Sequence, residues 1–187
     1  MDALVDFYIK SHGVTLFVLA VLATYFIALN WAFFYRYFSL NKWVAIESQS
    51  LESLLMGAST VTDSAYLSHF IKTSNTLSKE IFDLGLFAST KEATKGLSLL
   101  SVVASTSPFI GLFGTVVSIL DTFTNIGEAS GTMAIIAAGV SDALIATAAG
   151  IFVAIFAYTY HQILKRKSFE LTGLIRMQSD AIMARQG

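Results

Sequence analysis

Residues 97–120 read LSLLSVVASTSPFIGLFGTVVSIL and contain no charged side chain. A helix that crosses the hydrocarbon core of a membrane needs about 20 mostly apolar residues. Two more stretches meet this requirement, because residues 13–35 carry no formal charge and residues 133–163 carry one acidic side chain, Asp142. We therefore predict an all-α integral membrane protein with transmembrane helices over 13–35, 97–120 and 133–163.

The composition excludes several classes of protein. Of the 187 residues, 55% are hydrophobic and 13% are charged, whereas a soluble domain carries about 25% charged residues. The net charge of -1 leaves no basic surface for phosphates, so we expect no nucleic-acid partner. The chain has no cysteine, which excludes disulfides, thiolate metal sites and cysteine nucleophiles.

The distribution of Lys and Arg predicts the orientation of the spans. Basic residues concentrate between the first two spans (Arg36, Lys42, Lys72, Lys79, Lys91, Lys95) and after the third (Lys165, Arg166, Lys167, Arg176, Arg185). Cytoplasmic loops carry the excess of positive residues. We thus expect residues 36–96 to be a cytoplasmic helical segment and 164–187 a cytoplasmic C-terminal helix, with the N-terminal segment 1–12 and the connection 121–132 outside.

The sequence leaves two alternatives for the start of the helix that leads into the second span. Ser89 and Glu92 have the spacing of a capping box, which would let a helix begin in the cytoplasm and continue directly into the second span. The alternative, that Ser89 is one serine among many, remains open.

Small and hydroxylic side chains recur at helical spacing on one face of the second span and of the third. These faces consist of Ser101, Ala104, Ser105, Pro108, Gly111, Thr115, Ser118 and Thr122, and of Val140, Ala143, Thr147, Gly150 and Ala154. Small residues let membrane helices approach closely, but two such faces could also line a cavity shared by several copies, or enclose a foreign helix. We assign Pro108, Gly111, Gly114, Ser118, Ala143 and Gly150 to pore lining or helix packing.

Asp142 is the candidate for chemistry within the membrane. A carboxylate at depth costs about 2.5 to 3.5 kcal/mol and usually faces a bundle interior or a watery path. It lies five residues from Thr147, so the two do not share a helical stripe. Proton or ion handling and a purely structural carboxyl both remain open. The three histidines are scattered, and we predict no metal site and no enzyme active site.

Two motifs give the chain a family resemblance. Residues 107–116 read SPFIGLFGTV and residues 139–150 read GVSDALIATAAG. In this order they closely resemble the second and third membrane helices of the TolQ/ExbB branch of the MotA/TolQ/ExbB family, with the Ser-Pro opening closer to TolQ. The resemblance implies that Thr115 and Thr147 line a proton pore, that Asp142 stands where the family usually has glutamate, and that Pro108 is the proline of the second-helix motif.

The resemblance also implies an assembly. A pentamer of the chain would surround the paired transmembrane helices of a TolR- or ExbD-like partner, in contact with a TolA- or TonB-like protein. The complex would lie in the bacterial inner membrane, with a periplasmic N-terminus and a cytoplasmic C-terminus, and would use protons as coupling ion with no cofactor. The expected function is a stator subunit driven by the proton-motive force. The alternatives are an ExbB-type subunit for TonB-dependent uptake, a non-conducting scaffold, and a transporter that relies on Asp142 alone.

Overall fold

A computed structural model describes residues 13–73, 78–126 and 133–185, which form helices joined by short loops, with no strand among them. The helices are α1 (Gly13–Leu55), α2 (Tyr66–Thr73), α3 (Lys79–Ala93), α4 (Leu97–Ile126) and α5 (Met133–Met183). The prediction of an all-α chain is confirmed.

Three of these helices, in the part of the chain that the structure describes, are long and apolar enough to cross a membrane. They contain the three predicted spans. α1 and α5 have 43 and 51 residues, so at a rise of about 1.5 Å per residue they are about 65 and 75 Å long. Because a bilayer core is about 30 Å thick, both helices are much longer than a single crossing requires. Neither contains a proline that would interrupt it.

The helices form two compact units. The first contains residues 13–31 of α1, residues 99–126 of α4 and residues 133–160 of α5. In it, the Phe26 ring of α1 packs against the rings of Phe152 and Phe156 of α5, with ring centroids 5.6 and 5.3 Å apart. Tyr160 donates a hydrogen bond of 2.9 Å to the Asn30 side-chain oxygen. These contacts fix α1 against α5.

The second unit contains the described residues within 32–98 and 161–185. Its core combines apolar side chains from α1, α2, α3 and α5, which include Leu40, Leu54, Leu67, Phe82, Leu164, Leu171 and Ile175. Gly85 of α3 allows a close approach of α2, because a Cβ atom there would lie 2.9 Å from Leu67 Cδ2. The second unit, which carries most of the Lys and Arg residues, therefore has an apolar core of its own.

A buried carboxylate lies in this second core. Glu47 of α1 is fully buried and accepts hydrogen bonds from the Trp43 indole (3.1 Å), the Tyr66 backbone N–H (2.8 Å) and the Gln178 amide (2.8 Å). The Gln178 amide also donates to the Glu47 carbonyl at 2.9 Å. Hydrogen-bonded acceptors of this kind offset the desolvation of a buried carboxylate. Glu47 thus joins α1, α2 and α5.

The capping-box prediction at Ser89 is wrong. Ser89 lies inside α3, is fully buried and donates to the Leu86 carbonyl at 2.8 Å. α3 does not continue directly into α4, because the chain turns at residues 94–96 and Gly96 takes a positive φ of 86°. The alternative holds, since a serine with cap spacing is equally suited to the small, buried face of a helix.

The structure places some segment boundaries differently from the prediction, and other predicted segments lie outside the described residues. α4 continues to Ile126, so the first half of the predicted connection 121–132 is helical. Residues 127–132 and the N-terminal segment 1–12 lie outside the described residues. α5 runs without interruption through the predicted boundary between residues 163 and 164.

Candidate functional site

The first unit is built around a backbone contact between α4 and α5. A Cβ atom on Gly150 would lie 2.6 Å from the Ser107 carbonyl oxygen, and one on Gly111 would lie 2.7 Å from the Ala146 carbonyl oxygen. Real Cβ atoms do not approach other atoms so closely. The two helices therefore touch through their main chains, and only glycine fits at these two positions.

The contact extends towards the C-terminal end of α4 and also includes α1. A Cβ atom on Gly139 of α5 would overlap the Thr122 side chain of α4. Gly114 of α4 faces Val18 of α1 and Ala146 of α5, at 3.0 and 3.1 Å from its ideal Cβ position. All three membrane helices therefore meet at this glycine-lined centre.

Two threonine hydroxyls face each other within this contact. Thr115 of α4 and Thr147 of α5 are hydrogen-bonded through their side-chain oxygens. The Thr115 hydroxyl also lies 3.2 Å from the carbonyls of Gly111 and Ala143, and the Thr147 hydroxyl lies 3.3 Å from the Gly111 carbonyl. Each hydroxyl has one proton and more than one acceptor, so the proton can change partners by rotation about the C–O bond.

The threonine pair is only half-buried. Its neighbours Gly111, Ala143 and Ala146 are buried, so the two threonines are the less buried residues at this level of the contact. A pair of exchangeable hydroxyls at the rim of an apolar contact can pass a proton or bind a polar group from another helix.

Comparison with known proteins assigns the chain to a family. Residues 58–177, which include both threonines and Asp142, match the MotA/TolQ/ExbB proton channel family. The chain belongs to this family.

Individual relatives agree with that assignment. A Helicobacter pylori biopolymer transport protein named ExbB-like 1 is 38% identical over 193 aligned positions, which cover 100% of both chains. The biopolymer transport protein ExbB of Neisseria gonorrhoeae is 47% identical over 79 residues, covering 41% of this chain and 36% of that protein. The Tol-Pal system protein TolQ of Pseudomonas aeruginosa is 39% identical over 89 residues, covering 47% and 38%. The resemblance to the TolQ/ExbB branch is confirmed, and the family comprises channels rather than enzymes.

The structure separates the residues that the sequence grouped into small faces. Of those assigned to pore lining or helix packing, Gly111, Gly114, Ser118, Ala143 and Gly150 are buried, and Pro108 is half-buried. Ser101, Ser105 and Val140 are exposed. The small side chains thus serve the packing of α4 on α5, while the N-terminal residues of each predicted face are exposed.

Asp142 is half-buried on α5, close in sequence to the threonine pair but not bonded to it. Among the described residues, the Thr115 and Thr147 hydroxyls bond to each other and to backbone carbonyls. The acid and the hydroxyl pair are therefore not bonded to each other in this chain, as expected from their different helical stripes. No group of three or more His, Asp or Glu side chains in the described part of the chain is placed to hold a metal ion.

Three residues of the contact were missed as packing residues by the sequence reasoning. They are Ser107, Gly139 and Ala146. Each stands four positions from another small residue, in the pairs Ser107 and Gly111, Gly139 and Ala143, and Ala146 and Gly150. This small-xxx-small spacing is the usual signal of close packing between membrane helices, and it could have identified them.

Proposed function

We propose that this member of the proton channel family is the channel-forming stator subunit of an inner-membrane complex of the TolQ–TolR or ExbB–ExbD type, which uses proton flow to do work on the cell envelope. The observation that carries the proposal is the hydrogen-bonded hydroxyl pair of the half-buried Thr115 and Thr147, which meet within the glycine-lined contact of α4 and α5.

In the proposed assembly, a partner protein supplies the acidic group that carries the proton. Several copies, five by family resemblance, enclose the paired membrane helices of an ExbD- or TolR-like partner, whose aspartate carries the proton. The half-buried threonines then face that partner. The excess of Lys and Arg in residues 36–96 and 164–187 favours a cytoplasmic location for both segments and a periplasmic N-terminus.

The energetics allow protons to drive the step. Protonation of the partner's aspartate removes the cost of moving a carboxylate through an apolar ring, about 2.5 to 3.5 kcal/mol. One charge that crosses 100 mV gains about 2.3 kcal/mol. The two quantities are comparable, so a few protons suffice for one movement of the partner. Thr115 and Thr147 pass the proton between water and the aspartate, and Asp142 shapes the outward entrance.

The test is proton flux into vesicles that contain the chain and its partner. Thr147→Val keeps the side-chain shape but removes the hydroxyl, so we expect flux to fall to the level of vesicles without protein while the partner still co-purifies. Thr147→Ser keeps the hydroxyl and is the matched control, with flux retained. Undiminished flux in Thr147→Val would contradict the proposed relay.

Within this proposal, the full-length similarity favours an ExbB-type subunit, which would energise TonB-dependent uptake, over a TolQ-type subunit. The relative that aligns over the whole of both chains carries the ExbB-like name, whereas the TolQ relative aligns over 47% of this chain. Purification of the tagged chain from its own cells tests the choice. An ExbD-like protein with a TonB-like one indicates the ExbB type, and a TolR-like protein with a TolA-like one indicates the TolQ type.

The alternative function is that of a non-conducting scaffold, and the close glycine contact between α4 and α5 favours it. Both threonine hydroxyls have acceptors within the chain, so packing alone could account for them. A scaffold predicts no proton flux with the partner present, and it predicts that Thr147→Val leaves envelope function intact.

A further inference from the structure

Two hydroxyls in the first unit are buried without a hydrogen-bond partner. The side-chain oxygens of Thr15 of α1 and Ser118 of α4 bond to none of the described residues, and both residues are 0% exposed. A buried polar group without a partner is destabilising. Hydroxyls elsewhere in the same helices avoid this cost, because Thr24 and Thr106 each donate to a carbonyl of their own helix, at 2.9 and 2.8 Å. Packing alone therefore does not explain the hydroxyls of Thr15 and Ser118.

The directions of the three membrane helices follow from the residue pairs that meet in the first unit. These pairs are Ser107 with Gly150 and Thr122 with Gly139 between α4 and α5, and Phe26 with Phe156 and Asn30 with Tyr160 between α1 and α5. In the first two pairs the residue numbers change in opposite senses, so α4 and α5 are antiparallel. In the last two they rise together, so α1 is parallel to α5 and antiparallel to α4.

The contacts of Gly114 place the two unpaired hydroxyls in one layer. Gly114 of α4 faces Val18 of α1 and Ala146 of α5. Ser118 follows Gly114 by four residues, and Thr15 precedes Val18 by three. Because α1 and α4 are antiparallel, both steps lead to the same side of this contact, by about 4.5 to 6 Å. Thr15 and Ser118 therefore lie at the same level of the three-helix unit.

α5 brings an acidic residue to the same layer. Asp142 precedes Ala146 by four residues, and α5 is parallel to α1, so this step also leads to the level of Thr15 and Ser118. Asp142 is half-buried, whereas the two hydroxyl residues are fully buried. The carboxylate is thus the more accessible group of this layer.

Ser118 also belongs to a stripe of hydroxyls on α4. Thr115, Ser118 and Thr122 follow the i, i+3, i+7 spacing of one helix face. On either side of Ser118, Thr115 bonds to Thr147 and Thr122 packs against Gly139, so the stripe faces α5. Side chains at this spacing have Cβ atoms about 5 to 6 Å apart. One water molecule spans such a gap with two hydrogen bonds of about 2.8 Å each.

We propose that Thr15 and Ser118 together form a proton relay inside each subunit, on the outward side of the Thr115 and Thr147 pair and level with Asp142. Both residues are fully buried within one chain, so at this level the path runs among α1, α4 and α5 rather than between copies. The relay rests on the proposed function, and it adds which residues carry the proton to the threonine pair.

The transfer needs only hydroxyl groups and water. A hydronium ion on the outward side gives a proton to the hydroxyl oxygen, and the hydroxyl releases its own proton to a water molecule on the inward side. One O–H bond forms as another breaks, and rotation about the C–O bond restores the starting arrangement. Neither hydroxyl is held by a carbonyl of the described chain, so each can turn in both directions. Water enters the layer with the proton, and the hydroxyls stay unpaired at rest.

Proton flux into vesicles that contain the chain and its partner tests the relay. We expect Thr15→Val and Ser118→Ala each to lower the flux by about 100-fold, the lower end of what a positioned proton-transfer group contributes. The partner should still co-purify, and the melting temperature should be unchanged or higher, because the hydroxyl removed is unpaired at rest. The matched controls are Thr24→Val on α1 and Thr106→Val on α4, which remove exposed hydroxyls and should retain the flux.

Two further variants distinguish a relay from a packing role. Thr15→Ser keeps the hydroxyl but loses a methyl group, so it should retain the flux. Residues that act as one unit have non-additive effects. The double variant Thr15→Val with Ser118→Ala should therefore conduct no less than either single variant.

The outcomes separate this inference from the proposed function. If Thr147→Val blocks the flux but Thr15→Val or Ser118→Ala leaves it undiminished, the shared relay is wrong and the channel stands. A lower melting temperature together with lost flux would also overturn the relay, because it would show that the hydroxyls stabilise the fold. A native complex that conducts no protons would overturn both the channel and the relay.

Discussion

Buried hydroxyls in the first unit differ in whether they have a hydrogen-bond partner. This difference determines how the removal of each hydroxyl changes thermal stability. The Thr15 and Ser118 side-chain oxygens are buried without a hydrogen-bond partner among the described residues, whereas the Thr122 hydroxyl donates to the Ser118 carbonyl at 2.8 Å. An unpaired buried hydroxyl is destabilising. Ser118→Ala and Thr15→Val should therefore leave thermal stability in detergent unchanged or raise it.

Thr122→Val is the control for that measurement. It removes a hydrogen bond that is made, so the melting temperature should fall relative to Ser118→Ala. A clear loss of stability in Ser118→Ala would mean that its hydroxyl has a partner in the assembled protein.

The carboxylate of Glu47 is the residue whose loss should matter most in the second unit. Glu47→Ala leaves the Trp43 indole and the Tyr66 N–H without their acceptor, while the Gln178 amide keeps only the Glu47 backbone carbonyl. Each unsatisfied buried group costs about 1 to 3 kcal/mol, so we expect the free energy of unfolding to fall by about 2 to 6 kcal/mol. Hydrogen exchange at the Tyr66 amide reports the loss directly. Glu52→Ala, at an exposed position on the same helix, should have little effect, and equal effects of the two changes would contradict the role of Glu47.

At the scale of the helices, the contact between α4 and α5 is the most sensitive feature. Gly150→Ala places a methyl group about 2.6 Å from the Ser107 carbonyl oxygen, which forces the helices apart. We expect a loss of about 1 to 3 kcal/mol, the usual effect of overpacking, measured as denaturant or thermal unfolding in detergent. Ala148→Val adds two methyl groups at an exposed position of α5 and should be tolerated. A Gly150→Ala variant as stable as the native chain would show that α4 and α5 can move apart without loss of stability.

The orientation of the whole molecule can be tested by chemical labelling, because a single introduced cysteine is unique in this chain. Thr124→Cys lies near the end of α4 that leads to the predicted outer connection, and Thr90→Cys lies on α3, both at exposed positions. In spheroplasts with an intact inner membrane, a membrane-impermeant maleimide should label Thr124→Cys. It should label Thr90→Cys only after the membrane is permeabilised. The reverse pattern would overturn the orientation derived from Lys and Arg.

For the whole molecule, the class of fold and the family could be derived from the sequence because both depend on local patterns. A run of uncharged residues such as 97–120 is sufficient to predict a span, and two short motifs carry the family. The capping box at Ser89 failed for the same reason. Its spacing is local, and nothing local distinguishes a helix start from a buried helix face.

By itself, the sequence determined three apolar helices and which side chains are small enough for close approach. It also predicts the orientation of the helices in the membrane. Only the tertiary structure decided that Gly111 and Gly150 bring two backbones into contact and that the hydroxyls of Thr115 and Thr147 meet. The physical reason is that residue size and helical period limit which faces can pack, while the partner of each face depends on how distant segments pack against one another in three dimensions.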